Sequence, residues 1–168
     1  MNKFLFRKNK GFTLIELIIY LAIVSVVLVS ISYLILDILG GQSRSYAKQD
    51  VNQNLRFIAN YLMKDIKAAG NISSLTSDTL VLDMPSDDIT YNFDAVNEIL
   101  TRQVGSNPPV NLNSNRTEVI GSFSNFSYLV RAKNIGVHLA VVYKNPDNLS
   151  EYNASSTADF SVELRGRR

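Results

Sequence analysis

Lys10-Gly11-Phe12-Thr13-Leu14-Ile15-Glu16-Leu17-Ile18-Ile19-Tyr20-Leu21 is the stretch on which the reading of this chain turns. It sets one small residue between a basic segment and an apolar run, and one acid inside that run. From Leu17 to Leu36 no charged residue occurs, and only Ser25, Ser30 and Ser32 interrupt the apolar side chains. A helix of that length, rising about 1.5 Å per residue, matches the roughly 30 Å hydrocarbon core of a bilayer.

On the N-terminal side stand Lys3, Arg7, Lys8 and Lys10 with no acid among them. A secretory signal places its small-residue cleavage site after an apolar region of roughly 7–15 residues. Here Gly11 comes before the apolar run, and the run is longer. The basic flank is expected to stay in the cytoplasm by the positive-inside rule, which puts everything after about Asp37 outside it. Glu16 needs a reason, because an ionisable group at the centre of a spanning helix costs about 2.5 kcal/mol or more. It either stays near the headgroups or has a cationic partner.

Taken in order, Lys10 to Glu16 resembles the processing site of type IV pilins and type II secretion pseudopilins. The resemblance implies that a prepilin peptidase cuts between Gly11 and Phe12, removes residues 1–11 and methylates the new amine of Phe12. It also implies that the Glu16 carboxylate takes part in filament assembly by neutralising the N-terminal ammonium of a neighbouring subunit. Two charges that are each costly in a low-dielectric setting become tolerable as a pair. The implied partners are other pilin or pseudopilin subunits, the peptidase, an inner-membrane assembly platform and the cytoplasmic membrane. The protein would be stored in that membrane and then enter a cell-surface or periplasmic filament. An unprocessed signal-anchored membrane protein with an incidental glutamate is the plain alternative.

Towards the C-terminus no proline occurs before Pro85, so a helix can run from Phe12 to about Ala69, a rod of roughly 85–90 Å. Gly40 and Gly41 are its weak point, each costing about 1 kcal/mol relative to alanine. They mark either a kink or break at the membrane exit or a candidate hinge used during assembly. Beyond them Val51, Leu55, Ile58, Leu62, Ile66 and Ala69 recur at steps of three and four, one apolar face of an amphipathic helix. Gln49, Asp50, Asn52, Arg56, Asn60, Lys64, Asp65 and Lys67 are expected on its other faces, and Gly70 at its C-terminal cap.

The remainder reads as short strands. Leu80–Met84, Ile89–Asp94 and Glu98–Val104 suggest a three-stranded meander, and 105–116 a polar surface connection. Phe126–Val130 and Ile135–Tyr143 suggest a second hairpin turning at Ala132-Lys133-Asn134. A loop over 144–158 then leads to a closing strand, Phe160–Arg165, with Phe160, Val162 and Leu164 on one face. The expected fold class is α+β: a long N-terminal transmembrane-plus-amphipathic helix packed on a C-terminal antiparallel β-sheet, the pilin fold that the resemblance implies. The expected segments are a leader at 1–11, a transmembrane half-helix at 12–39, an amphipathic half at 40–70 and a head domain at 71–168.

Asn54-Leu55-Arg56, Leu62, Asp65-Ile66, Ala69-Gly70, Leu100-Thr101-Arg102 and Val162-Glu163-Leu164-Arg165 resemble the pattern of minor pilins and J-type pseudopilins. That resemblance implies a tip or priming subunit rather than the repeating body of a fibre. The paired cysteines of many major pilins are absent.

Of the 168 residues none is cysteine, which excludes disulfides, thiolate metal sites and a cysteine nucleophile. His138 is the single histidine, and its alternation with Val137, Leu139, Val141 and Tyr143 turns it away from the core. The formal net charge of +2 becomes −2 once the four basic residues of the leader are removed, so nucleic acid is not an expected partner. Arg165, Arg167 and Arg168 with Tyr128, Tyr143 and Phe160 keep open a DNA-uptake or adhesive tip subunit as an alternative. Asp87-Asp88, and Asp147, Glu151 and Asp159 among loop asparagines, fit no EF-hand spacing and read as solvated loop acids. No catalytic residue, metal or cofactor is expected.

Overall fold

A computed structural model of the chain describes residues 11–125 and 134–164. Its helix α1 spans Leu14–Ala68, and the chain divides into two compact units, Met1–Gly41 and Gln42–Arg168.

In the first unit α1 is long and apolar enough to cross a membrane. Its large side chains from Leu14 to Leu39 are about half exposed or more, with none of the near-zero exposures of a core. Ser25, Ser30 and Ser32 donate to the carbonyls of Leu21, Val26 and Leu28 at 2.7–2.9 Å. Each hydroxyl is thereby satisfied inside the helix, so the surface left over is apolar. The break considered at Gly40 and Gly41 is absent, because both residues are helical.

In the second unit the rest of α1 buries Ala47, Val51, Leu55, Ile58, Leu62 and Ile66, and Ala69 follows just past its end. This is the expected apolar stripe extended one step towards the N-terminus. Asp65 departs from expectation, since it is buried rather than on a solvated face. Gly70 also departs: Gly105 is the one described glycine with positive φ, and the Gly70 N–H donates to the Asp83 carbonyl at 2.9 Å. The chain leaves the helix directly into a strand instead of through a left-handed cap.

One sheet holds β1 (Asn71–Leu75), β2 (Thr79–Asp83), β3 (Ile89–Asp94), β4 (Ile99–Val104) and β5 (Val110–Asn111), antiparallel and in chain order. The other holds β6 (Thr117–Asn125), β7 (Asn134–Tyr143) and β8 (Ser155–Glu163), also antiparallel. The expected meander is therefore correct for β2, β3 and β4 but lacks its two edges. β1 is polar Asn-Ile-Ser-Ser-Leu with a register irregularity, and β5 is two exposed residues, so neither carries an alternating apolar signal.

The second hairpin also differs. The strand expected at Phe126–Val130 and most of its turn lie outside the described residues, but Asn134, expected in that turn, opens β7 and pairs with Glu163 of β8. The partner strand is Thr117–Asn125, which Gly121, Ser122 and Ser124 had disguised. β8 begins at Ser155, inside the expected loop, because Ser155, Ser156 and Thr157 pair with Val142, Val141 and Ala140.

The two sheets are joined through β3 and β6. Phe93 and Phe123 lie 4.9 Å apart between ring centroids. A Cβ on Gly121 would sit 2.5 Å from both the Phe93 ring and the His138 carbonyl oxygen, so only glycine fits there. Backbone bonds from Val119 to Glu98 and from Phe123 to Ser77, both 2.8 Å, complete the seam.

Candidate functional site

The start of α1 is built by local chemistry. Gly11, Phe12 and Thr13 are not helical. The Thr13 carbonyl accepts the first helical bond, from Leu17 N–H at 3.2 Å, and its hydroxyl accepts the Glu16 N–H at 3.3 Å. Thr13 is thus the N-cap, with Glu16 three residues on where an acid suits the positive end of the helix dipole. The Gly11–Phe12 bond lies in this exposed non-helical segment, and among the described residues nothing approaches within 4 Å of the Gly11 Cβ position. Residues 1–10 of the expected leader lie outside the described residues.

Glu16 is the one residue from Gly11 to Leu39 that is partly buried rather than exposed. The Tyr20 hydroxyl donates to its Oε1 at 3.5 Å, and the Phe12 ring meets the Tyr20 ring edge-on at 5.8 Å. Glu16 and Tyr20, four residues apart, share one helix face, and the Phe12 ring reaches Tyr20 from the non-helical segment before it.

Residues 6–32 match the family model of the prokaryotic N-terminal methylation motif. This chain carries a prokaryotic N-terminal methylation motif. The match covers Gly11, Phe12 and Glu16 and most of the apolar run. No curated protein and no solved structure matches the chain. Outside residues 6–32 the likeness is one of fold class alone, a pilin-like α+β order of an N-terminal apolar helix followed in sequence by antiparallel sheets.

The second unit holds a buried polar cluster that sequence reasoning missed. The Tyr91 hydroxyl donates to Asp65 Oδ2 at 2.7 Å, and Arg102 Nε donates to the same oxygen at 2.8 Å. Arg102 Nε also lies 3.3 Å from the Tyr91 hydroxyl. Burial, then the Asp65 carboxylate, push the Tyr91 phenol far above its usual range. For Arg102 burial pulls the other way, but the bonds to Asp65 and Tyr91 outweigh it and hold the guanidinium charged. The cluster fastens α1 to β3 and β4 and offers no free nucleophile or base. Its signal was present: Asp65 lies three residues after Leu62 and one before Ile66, within the apolar stripe.

His138 faces outward as expected, with its side chain half exposed and its Nδ1 2.5 Å from Asp159 Oδ1 directly across β7 and β8. Asp159 is therefore on a strand, apart from the loop acids with which it was grouped. Asn145 is occupied by both polar groups of the Leu149 backbone, at 2.9 Å each. Among the described residues no three His, Cys, Asp or Glu side chains gather into a metal-binding group. Tyr143 stacks on Tyr152 at 5.8 Å and, like Phe160, packs against the core. Tyr128, Arg165, Arg167 and Arg168 lie outside the described residues.

One electrostatic conflict stands at the seam between the sheets. Glu118, on β6, is raised above the usual carboxylate range by burial first and by the neighbouring Glu98 second, with Lys144 opposing.

Proposed function

We propose that this chain is a non-enzymatic subunit of a type IV pilus or type II secretion pseudopilus, and a minor one. A prepilin peptidase removes residues 1–11 and methylates Phe12. The product is held in the cytoplasmic membrane by its apolar helix, with the head outside, and assembly exchanges lipid contacts for contacts with other subunits. Glu16 neutralises a neighbour's terminal amine, and Gly40 and Gly41 let the helix yield as the subunit leaves the bilayer. Residues 12–39 act as the membrane half of the helix, 40–70 as its amphipathic half and 71–168 as the head.

The observation that carries this reading is the methylation-motif match at 6–32, on a chain whose following helix exposes a large apolar surface among the described residues. The exposed, non-helical Gly11–Phe12 bond supports processing there. The minor-subunit reading is supported by the dispersed residue pattern, two members of which, Asp65 and Arg102, bond each other in the head.

The test is the intact mass of membrane-extracted protein from a host that supplies a prepilin peptidase. Loss of residues 1–11 with one added methyl group is expected. A full-length mass, beside a control prepilin that is cut, would leave an unprocessed signal-anchored protein. Glu16→Val should insert and be cleaved but fail to enter sheared filaments; filament entry at wild-type levels would refute the pairing role.

A further inference from the structure

A carboxylate at the start of a lipid-stored helix has no water to satisfy it once it dips below the headgroups. Until a neighbour supplies a cation, its partner must come from the same chain. The backbone N–H of Glu16 is given to the Thr13 hydroxyl, and the donor that the structure sets against its carboxylate is a side chain one turn on. Tyr20 occupies that place, with its hydroxyl 3.5 Å from Glu16 Oε1. A phenol in an otherwise apolar stretch faces the same difficulty as the acid, and one bond relieves both. The Tyr20 ring also holds the Phe12 ring edge-on at 5.8 Å, so the first residue of the processed chain and the acid are gathered by one side chain.

We propose that Tyr20 is a positioning residue: its hydroxyl holds the Glu16 carboxylate in the stored monomer, in the orientation from which a neighbouring subunit's amine takes it over. The takeover rests on the assembly role proposed above for Glu16, whereas the bond between Tyr20 and Glu16 does not. The bond needs no proton transfer; the phenol remains the donor and the carboxylate the acceptor.

The test uses the full chain, processed by co-expressed peptidase and reconstituted in phosphatidylethanolamine–phosphatidylglycerol bilayers, with its eight tyrosines labelled at Cζ with carbon-13. Solid-state NMR of Tyr20→Phe identifies the Tyr20 resonance by its loss. Glu16→Gln is expected to move that resonance and leave the other seven in place, and Asp37→Asn to move none of them at Tyr20. A Tyr20 resonance unmoved by Glu16→Gln overturns the inference. Tyr20→Phe keeps the ring against Phe12, so it should be cleaved and methylated normally yet enter filaments several-fold less than wild type. Normal entry of Tyr20→Phe, with Glu16→Val defective, overturns the positioning role alone. A Tyr20 resonance that responds to Glu16→Gln, in a protein whose Glu16→Val variant assembles normally, supports the contact and refutes the assembly reading instead.

Discussion

Removing the Asp65 carboxylate tests whether the head is locked to α1 by charge as well as by apolar packing. In Asp65→Ala the buried Tyr91 hydroxyl loses its acceptor, and Arg102, whose side chain is 23% exposed, loses its anion. Truncating one partner of a fully buried ion pair costs about 3–5 kcal/mol. Partial exposure of Arg102 lets water relieve some of that charge, which places the expected loss near the low end, about 3 kcal/mol. For a domain of this size that corresponds to a fall in Tm of about 10 °C. Urea unfolding of the detergent-solubilised full chain, followed by tyrosine fluorescence because the chain has no tryptophan, measures it. Asp50→Ala is the reference: its 3.4 Å pair with Arg116, whose side chain is 72% exposed, should be worth under about 0.5 kcal/mol. Asp65→Leu combined with Arg102→Leu should recover much of the loss, since the unpaired charge goes with its partner. An Asp65→Ala protein as stable as Asp50→Ala would refute the lock.

Three further outcomes are expected. Gly121→Ala forces a methyl group against the Phe93 ring and the His138 carbonyl and should lower stability by about 1–3 kcal/mol in the same urea assay, where an unchanged midpoint would show that the seam can yield. Glu118→Gln should raise the Tm at pH 7. The folded-state shift of Glu118 is upward, so the ionised form costs stability at neutral pH, and the gain should vanish as pH falls through the folded pKa towards the ordinary 4.5; a gain that persists or grows on acidification contradicts this. Replacing Gly40 and Gly41 together by alanine meets no steric obstacle and adds about 1 kcal/mol of helix preference at each position. Normal processing with reduced filament yield is expected in shearing assays, and wild-type yield would remove the hinge role.

The features legible in the sequence were those whose signal is contiguous or strictly periodic. Gly11, Phe12 and Glu16 stand together in one short motif, the charge-free run to Leu36 is long and apolar enough to cross a membrane, and the stripe from Val51 to Ala69 declares a buried face by spacing alone. β3 and β7 were readable for the same reason, because their apolar residues alternate. Tertiary structure decided whatever depends on a distant partner. Asp65 is buried because Arg102 and Tyr91, 37 and 26 residues further on, arrive to satisfy it, and no local pattern announces their arrival. β1, β5 and the first half of β8 are polar segments that become strands only because a neighbouring strand offers its free backbone groups. Gly121 in β6 weakens the apolar alternation for the sake of a ring contributed by the other sheet. Local propensity and periodicity are written along the chain, but a hydrogen bond or a close contact between distant segments exists only after the fold has brought its two ends together.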